Sequence, residues 1–454
     1  MAEPDTAKKP QTKKKLILNA LVEACSGYQS PGLWQNPDDR SFEFNTLQHW
    51  VKLAELLEKA GFHGIFIADV LFPVNDPFRP VSTMAAVTES IGFGLTVSTT
   101  FEEPYYLARR LSTLDHLTSG RIGWNVVTGY LESTARNIGL DGLPDHDQRY
   151  AQADESMDVV YKLWQSSWRD DAAKLDHQSG VYTDPELIRT IDHVGKFYNV
   201  PGPHICQPSP QQTLVILQAG TSSAGKAFAA QHAEAVFVST LAPAIVAQNI
   251  ADIRAKAREL GREPQAIKFL AMVTPVLSAT EEEAQAKYNQ YMSYGSKEGA
   301  LALFGGYTGI DPSQFDDDQE LQYVESNAIR TSVETWAKYV AHVPKWTKGA
   351  IADEMKIGGL GATIVGTPEH VADELERWIR EADVDGFNFA YALMPKTFEE
   401  IIKFLLPVLR NCGLFWEGYE VPGGTYCENI WAKKGAARPP SDHPAAKCHW
   451  KKAE

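Results

Sequence analysis

Three short stretches carry residue types that could do chemistry together. In "IGWNVV" (122–127) an amide, Asn125, sits in the middle of an apolar run. Asparagine offers both a donor and an acceptor, so inside a barrel it suits a flat heteroaromatic ring with carbonyl and N–H edges; a neighbouring layer of the barrel could satisfy it as well. In "QAGTSSAGKAF" (218–228) a strand ends in Ala-Gly, hydroxyl residues follow, and a helix opens. Gly220 lets backbone N–H groups approach an anion, the helix N-terminus adds free donors and positive potential, and Ser222 adds a hydroxyl. A phosphate cradle and a plain N-cap at Ser222 or Ser223 account for that pattern equally well. In "HDQRYAQADE" (146–155), His146, Arg149 and Tyr150 fall within one helical turn, spaced to grip a phosphate or a ring, or to form an exposed helix start.

Further candidates end apolar runs. Thr96 and Ser98 are two apart and so share one face of their strand. Asp69 closes "GIFIAD" and could be a base, a ligand anchor or the cap of the next segment. Cys25 to Tyr28 follow the first strand. Trp34, Trp124 and Trp346 are candidate pocket walls, with core packing the default for each. Metal and nucleophile readings are weaker: neither H-E-x-x-H nor a G-x-S-x-G elbow is present. Paired acids for glycoside hydrolysis stay open, since their separation is invisible in a sequence.

The elements that must position these residues alternate. Apolar runs at 15–21, 64–69, 91–100, 121–128, 213–220, 235–240, 267–277, 362–366 and 385–393 read as strands. Helical periodicity fills 47–62, 104–120, 147–165, 243–261 and 368–382. Continuous apolar strands, each followed by a helix, mark parallel strands covered on both faces, and about eight such units favour an α/β fold, a (β/α)8 TIM barrel with insertions. No G-x-G-x-x-G follows the first strand, which counts against a dinucleotide fold. The expected organisation is a disordered basic tail over 1–14, a barrel over 15–425 with excursions at 166–212 and 295–350, and a C-terminal arm or tail over 426–454. Catalytic groups of such a barrel sit at the C-terminal ends of its strands, where the candidates above cluster.

Bulk properties narrow the class. The chain has 454 residues with a net charge of −15, against the basic footprint that nucleic acid requires. Lys8, Lys9, Lys13, Lys14 and Lys15 precede the first strand and read as a solvated tail. The five cysteines are scattered, with no CxxC pair, so neither a disulfide framework nor a zinc site is expected. Without a signal-peptide core or an apolar stretch of membrane-spanning length, the expectation is a cytoplasmic protein with no membrane partner.

Taken in order, "LNALVEACSGYQSPGLW", "FIADV", "FPVNDP", "GFGLTVSTTFEEPYYLARRLSTLDHLTSGRIGWNVVT", "HDQRYAQADE", "QAGTSSAGKAFAA", "VGTPEHVADELERWI" and "DGFNF" resemble the flavin-dependent monooxygenases related to bacterial luciferase. The similar branch holds the nitrilotriacetate, long-chain alkane and dibenzothiophene-sulfone monooxygenases. The resemblance runs from about residue 16 to 420. It implies a (β/α)8 barrel that takes reduced FMN (FMNH2) from a separate NAD(P)H:FMN reductase and assembles as a homodimer or homotetramer. It also implies that O2 reacts to give a C(4a)-(hydro)peroxyflavin, which oxygenates a small organic substrate, such as a sulfone or another organosulfur compound. Carried over by motif, Asp69, Thr96, Asn125, His146, Tyr150 and Ser222 are the flavin positions; Tyr150 and Ser222 hold the phosphate and Asn125 faces the ring. Excursion 295–350, with "FGGYTGID" (304–311), is the candidate lid.

Two departures bear on activity. Where the alkane-oxidising branch has Cys and His in the first strand-end loop, this chain has Cys25 and Tyr28, and Tyr28 could donate a hydrogen bond to a flavin oxygen. Relatives also carry a longer, Tyr-rich segment between "ADV" and "VNDP", whereas Val70 here passes through Leu71 and Phe72 directly to Pro73. Two readings follow: an oxygenase with a more open pocket, or a non-catalytic FMN-binding paralogue. A barrel that uses a deazaflavin for hydride transfer, or a metal-free hydrolase, is more remote.

Overall fold

A computed structural model describes residues 14–69, 74–308, 311–320, 336–340 and 342–450. Nine parallel strands form the main sheet: β1 (Ile17–Glu23), β2 (Gly64–Ala68), β3 (Gly92–Ser98), β4 (Ile122–Val127), β5 (Val215–Gln218), β6 (Ala235–Val238), β7 (Lys268–Leu277), β8 (Ala362–Gly366) and β9 (Gly386–Phe389). β1 to β7 pair in sequence, β7 pairs with β9, and β9 returns to β1, which closes an eight-stranded barrel. β8 lies outside that ring. The ten-residue β7 pairs with β6 and β9 through its first half, and its last five residues, Val273–Leu277, run on to take up β8. The run "ATIVG" therefore belongs to the rim, and "GFNF" closes the barrel.

The helices begin and end where local chemistry places them. The Thr46 hydroxyl accepts from His49 N–H to cap Leu47–Ala60, and Gly61, at φ 86°, terminates it. Pro104 opens Pro104–Leu117, and Ser119 and Gly120 then turn the chain left-handed into β4. Arg121, only 4% exposed, pins that turn with bonds from its guanidinium to the carbonyls of Ala85, Thr88, Ile91 and Thr118 and to the Thr88 hydroxyl. Between β4 and β5, excursion 166–212 carries two short antiparallel pairs.

Alternation along each strand separates two cores. Outward residues such as Leu18, Ile65, Phe93 and Trp124 meet the helices; inward residues such as Ile17, Leu21, Phe66, Leu217, Phe237 and Leu270 fill the lumen. The lumen's N-terminal end is stoppered by Tyr426, from the short helix Tyr426–Ile430 in the C-terminal segment. Its ring lies against Gly64, Gly92 and Gly123: a Cβ at Gly123 would come within 2.9 Å of it, one at Gly92 would enter it, and Asn19 Nδ2 donates to its hydroxyl at 3.2 Å. Three strands carry glycine there because nothing larger fits beside the plug. With that end closed, the C-terminal rim is where polar lumen residues meet the outside. No helix among the described residues is long and apolar enough to cross a membrane.

Candidate active site

The first corner of the site is built where β5 ends. The Ser222 hydroxyl accepts from Gly225 N–H at 3.0 Å, capping the helix Ser223–His232, and lies 3.2 Å from His146 Nε2. His146 opens the helix His146–Ser166, which arrives from the other side, and Tyr150 sits one turn on, ring centroids 5.0 Å apart. The Tyr150 phenol is raised by burial and bonded by Ser222 and Gln218, which pull the other way. A Cβ on Gly220 would strike the Tyr150 hydroxyl, and one on Gly225 would lie 2.9 Å from the Gly220 carbonyl. Hydroxyl, imidazole, phenol and the free N–H groups of a helix N-terminus thus converge around a turn only glycine permits, which suits an anionic phosphate. Ser222 serves as a cap, and it also faces His146. Arg149 points elsewhere, to the Pro144 carbonyl.

The second corner is on the neighbouring strand. Asn125 is 2% exposed, paired in register with Thr96 on β3 and Leu217 on β5. Its Nδ2 donates to Thr96 Oγ1 at 3.0 Å, whereas its Oδ1 is buried without a hydrogen-bond partner. An orphaned buried acceptor is costly, by about 1–3 kcal/mol, and marks a place where a ligand donor belongs. The amide thus faces the lumen in register with Leu217, three residues before Gly220, and a ring bearing N–H edges fits it. Ser98 is nearby, with its hydroxyl engaged by Thr100 N–H at 3.3 Å.

The third group follows β1. Cys25 is buried, and burial, then the charges of Glu23 and Asp69, push its thiol far up, which favours the protonated thiol over the thiolate. Asp69 stands half-buried at the end of β2. The Tyr28 hydroxyl is likewise raised by burial, and it meets Tyr307 edge-on at 6.3 Å and hydrogen-bonds Tyr130. Gln29 Nε2 donates to the Tyr307 hydroxyl at 2.8 Å. Tyr307 belongs to the helix Lys297–Thr308, the described opening of the candidate lid, so three loops meet over this side of the rim. Part of "FGGYTGID" and the shortened connection Val70–Pro73 lie outside the described residues.

Of the tryptophans, Trp124 packs among the outward core side chains with its indole N–H on the Val97 carbonyl, Trp346 meets Trp336 at a 45° tilt with ring centroids 5.1 Å apart, and Trp34 is exposed. No metal-binding cluster occurs among the described residues. Sequence reasoning missed Glu23 and Gln29: both are buried at this rim with unpartnered oxygens. The available signal was alternation, since Glu23 shares the inward face of Ile17, Asn19 and Leu21.

Comparison with known proteins identifies a family. The luciferase-like monooxygenase family model matches residues 25–386. The dimethyl-sulfide monooxygenase of Hyphomicrobium sulfonivorans is 46% identical, covering 96% of this chain and 94% of that one; the long-chain alkane monooxygenase of Geobacillus thermodenitrificans is 40% identical, covering 96% and 98%. Among solved structures, DmoA from Hyphomicrobium sulfonivorans superposes with a TM-score of 0.89 at 45% identity, covering 96% of each chain. A riboflavin lyase crystallised with modified FMN and riboflavin gives 0.88 at 32% identity, over 96% of this chain and all of that one. The chain belongs to the luciferase-like monooxygenases and is, by that membership, a flavin-dependent monooxygenase.

Proposed function

We propose that this chain is the oxygenating component of a two-component system in the cytoplasm, working as a homo-oligomer. It takes FMNH2 from a separate NAD(P)H:FMN reductase and, with O2, oxygenates a small organosulfur molecule, a sulfone or a thioether. Reduced FMN, when bound, supplies the electrons that activate O2. The observation that carries the reading is the pairing of a phosphate-sized corner at Ser222, His146 and Tyr150 with an orphaned amide oxygen at Asn125 one strand away. The two sequence relatives named above are both monooxygenases, which counts against the non-catalytic alternative.

The chain's own residues then divide the work. Ser222, His146 and Tyr150 hold the phosphate beside the helix N-terminus. Asn125, held by Thr96, keeps its carbonyl turned to an N–H edge of the ring. Asp69, Cys25 and Tyr28 wall the side away from the phosphate; burial favours the protonated thiol and phenol, each able to donate or accept a hydrogen bond. Tyr28, Tyr130 and Tyr307, the last from the helix Lys297–Thr308, keep water from the reacting atoms.

The test is reconstitution. With a flavin reductase, NADH and FMN, the chain should consume O2 and release an oxygenated product from an organosulfur panel. Uncoupled peroxide formation with every member of the panel would contradict the reading.

A further inference from the structure

Glu23 is a buried acid that the roles above leave unused. It ends β1 on the inward face and is 4% exposed, opposite Ala68 of β2. Neither carboxyl oxygen has a hydrogen-bond partner of good geometry; Gln29 and Tyr391 reach it only with weaker contacts, which burial outweighs. The groups facing it come from every element around it: Cys25, Tyr28 and Gln29 from the β1 loop, Tyr307 from the lid helix, and Tyr391 after β9; Asp69 faces the same thiol from the end of β2. None is a cation. Gln29 gives one amide N–H to the Tyr307 hydroxyl, keeps the other toward Glu23, and leaves its own Oε1 unpartnered. On β7 and β9, Thr274 Oγ1 and Asn388 Oδ1 are also buried without partners.

A carboxylate in such a place has no counter-charge, so the favoured form is the neutral acid, and burial lifts it to about 7. A neutral carboxyl carries an O–H donor, for which the surrounding protein supplies no acceptor of good geometry. Glu23 ends β1 on the inward face it shares with Ile17 and Leu21, beside the Cys25–Tyr28 loop at the C-terminal rim.

We propose that Glu23 is the hydrogen-bond donor that seats an uncharged, acceptor-bearing substrate in the lumen, and that the cation-free lining around it rejects anionic substrates. This rests on the oxygenase reading and narrows its substrate class. Glu23 acts in binding; it loses no proton and takes part in no bond change.

Dimethyl sulfone and methanesulfonate are a matched pair of probes, each a tetrahedral sulfur with four heavy-atom substituents, and differ by the exchange of one methyl for an anionic oxygen. Their binding to the FMN-loaded chain is followed by calorimetry between pH 6 and 9, with FMN affinity measured in parallel. The sulfone should bind at pH 6 and weaken about tenfold per pH unit once above about 7, while the sulfonate binds at least about 30-fold more weakly at pH 6. Glu23→Gln, which keeps an N–H donor, should bind the sulfone within about threefold of the parent at pH 6 and lose the pH dependence; Glu23→Leu should lose about tenfold or more. FMN affinity should be the same in all three. Binding independent of pH in the parent, or a sulfonate bound as tightly as the sulfone, overturns the proposal, and the Gln variant carries the test even where Leu does not fold. Failure of the parent to bind FMN would instead strike the flavin reading, and the sulfone titration on the flavin-free chain would still decide Glu23.

Discussion

Ser222 caps a helix and also faces His146, and two substitutions separate the roles. Ser222→Ala removes the cap bond to Gly225 N–H at 3.0 Å and should cost about 1 kcal/mol of stability. It also removes one hydroxyl donor to a phosphate, a charged hydrogen bond worth about 1.5–3 kcal/mol, so FMN affinity should fall about 10- to 150-fold. Ser222→Asp restores the cap, since aspartate is as good at that position, yet sets a negative charge where the phosphate should sit. At about 5 Å and an effective dielectric of 20 to 40, each unit of phosphate charge is repelled by about 2–3 kcal/mol, a further loss of about 30- to 150-fold per charge. Riboflavin, identical but for the phosphate, is the control. Fluorescence titrations should show FMN affinity falling in the order parent, Ala, Asp, with riboflavin affinity nearly constant and the Asp variant melting like the parent. Equal FMN affinity in Ser222→Asp and the parent would reduce Ser222 to a cap and refute the phosphate corner.

Other predictions follow from the packing. Gly92→Ala drives a methyl into the Tyr426 ring and should destabilise the fold by about 1–3 kcal/mol in urea, part of which Tyr426→Leu in the same chain should restore; a neutral Gly92→Ala would mean the plug is not seated as described. Arg121→Met leaves four backbone carbonyls without their donor and should cost at least about 3 kcal/mol in the same measurement. Glu23 also leaves a mark on stability. Its carboxyl binds a proton up to about 7 when folded and up to the ordinary 4.5 when unfolded, so its contribution is full below about 4.5 and lost as pH rises to about 7. The loss is about 3 kcal/mol, visible as a declining melting temperature that Glu23→Gln should flatten.

The alternating fold was legible because strands buried on both faces are apolar throughout, and their helices carry caps such as Thr46, Gly61 and Pro104. Which short apolar run closes the ring was not: "ATIVG" and "GFNF" look alike, and the length of β7 decides between them. His146, Tyr150 and Ser222 each read locally as a helix start or a cap. Their convergence joins residues 76 apart and belongs to the fold alone. Asn125 was legible, because an amide inside an apolar strand needs a partner. Glu23 was not, because an acid ending a strand reads as solvated until Tyr307 and Tyr391, hundreds of residues later, cover it.

The central claim is tested most directly by isotope. With reductase, NADH, FMN and an organosulfur substrate under oxygen-18 gas, the product should gain one labelled oxygen, and Asn125→Ala should reduce both FMN affinity and labelled product. A product whose new oxygen comes from water, or full labelling by Asn125→Ala with unchanged FMN affinity, would contradict it.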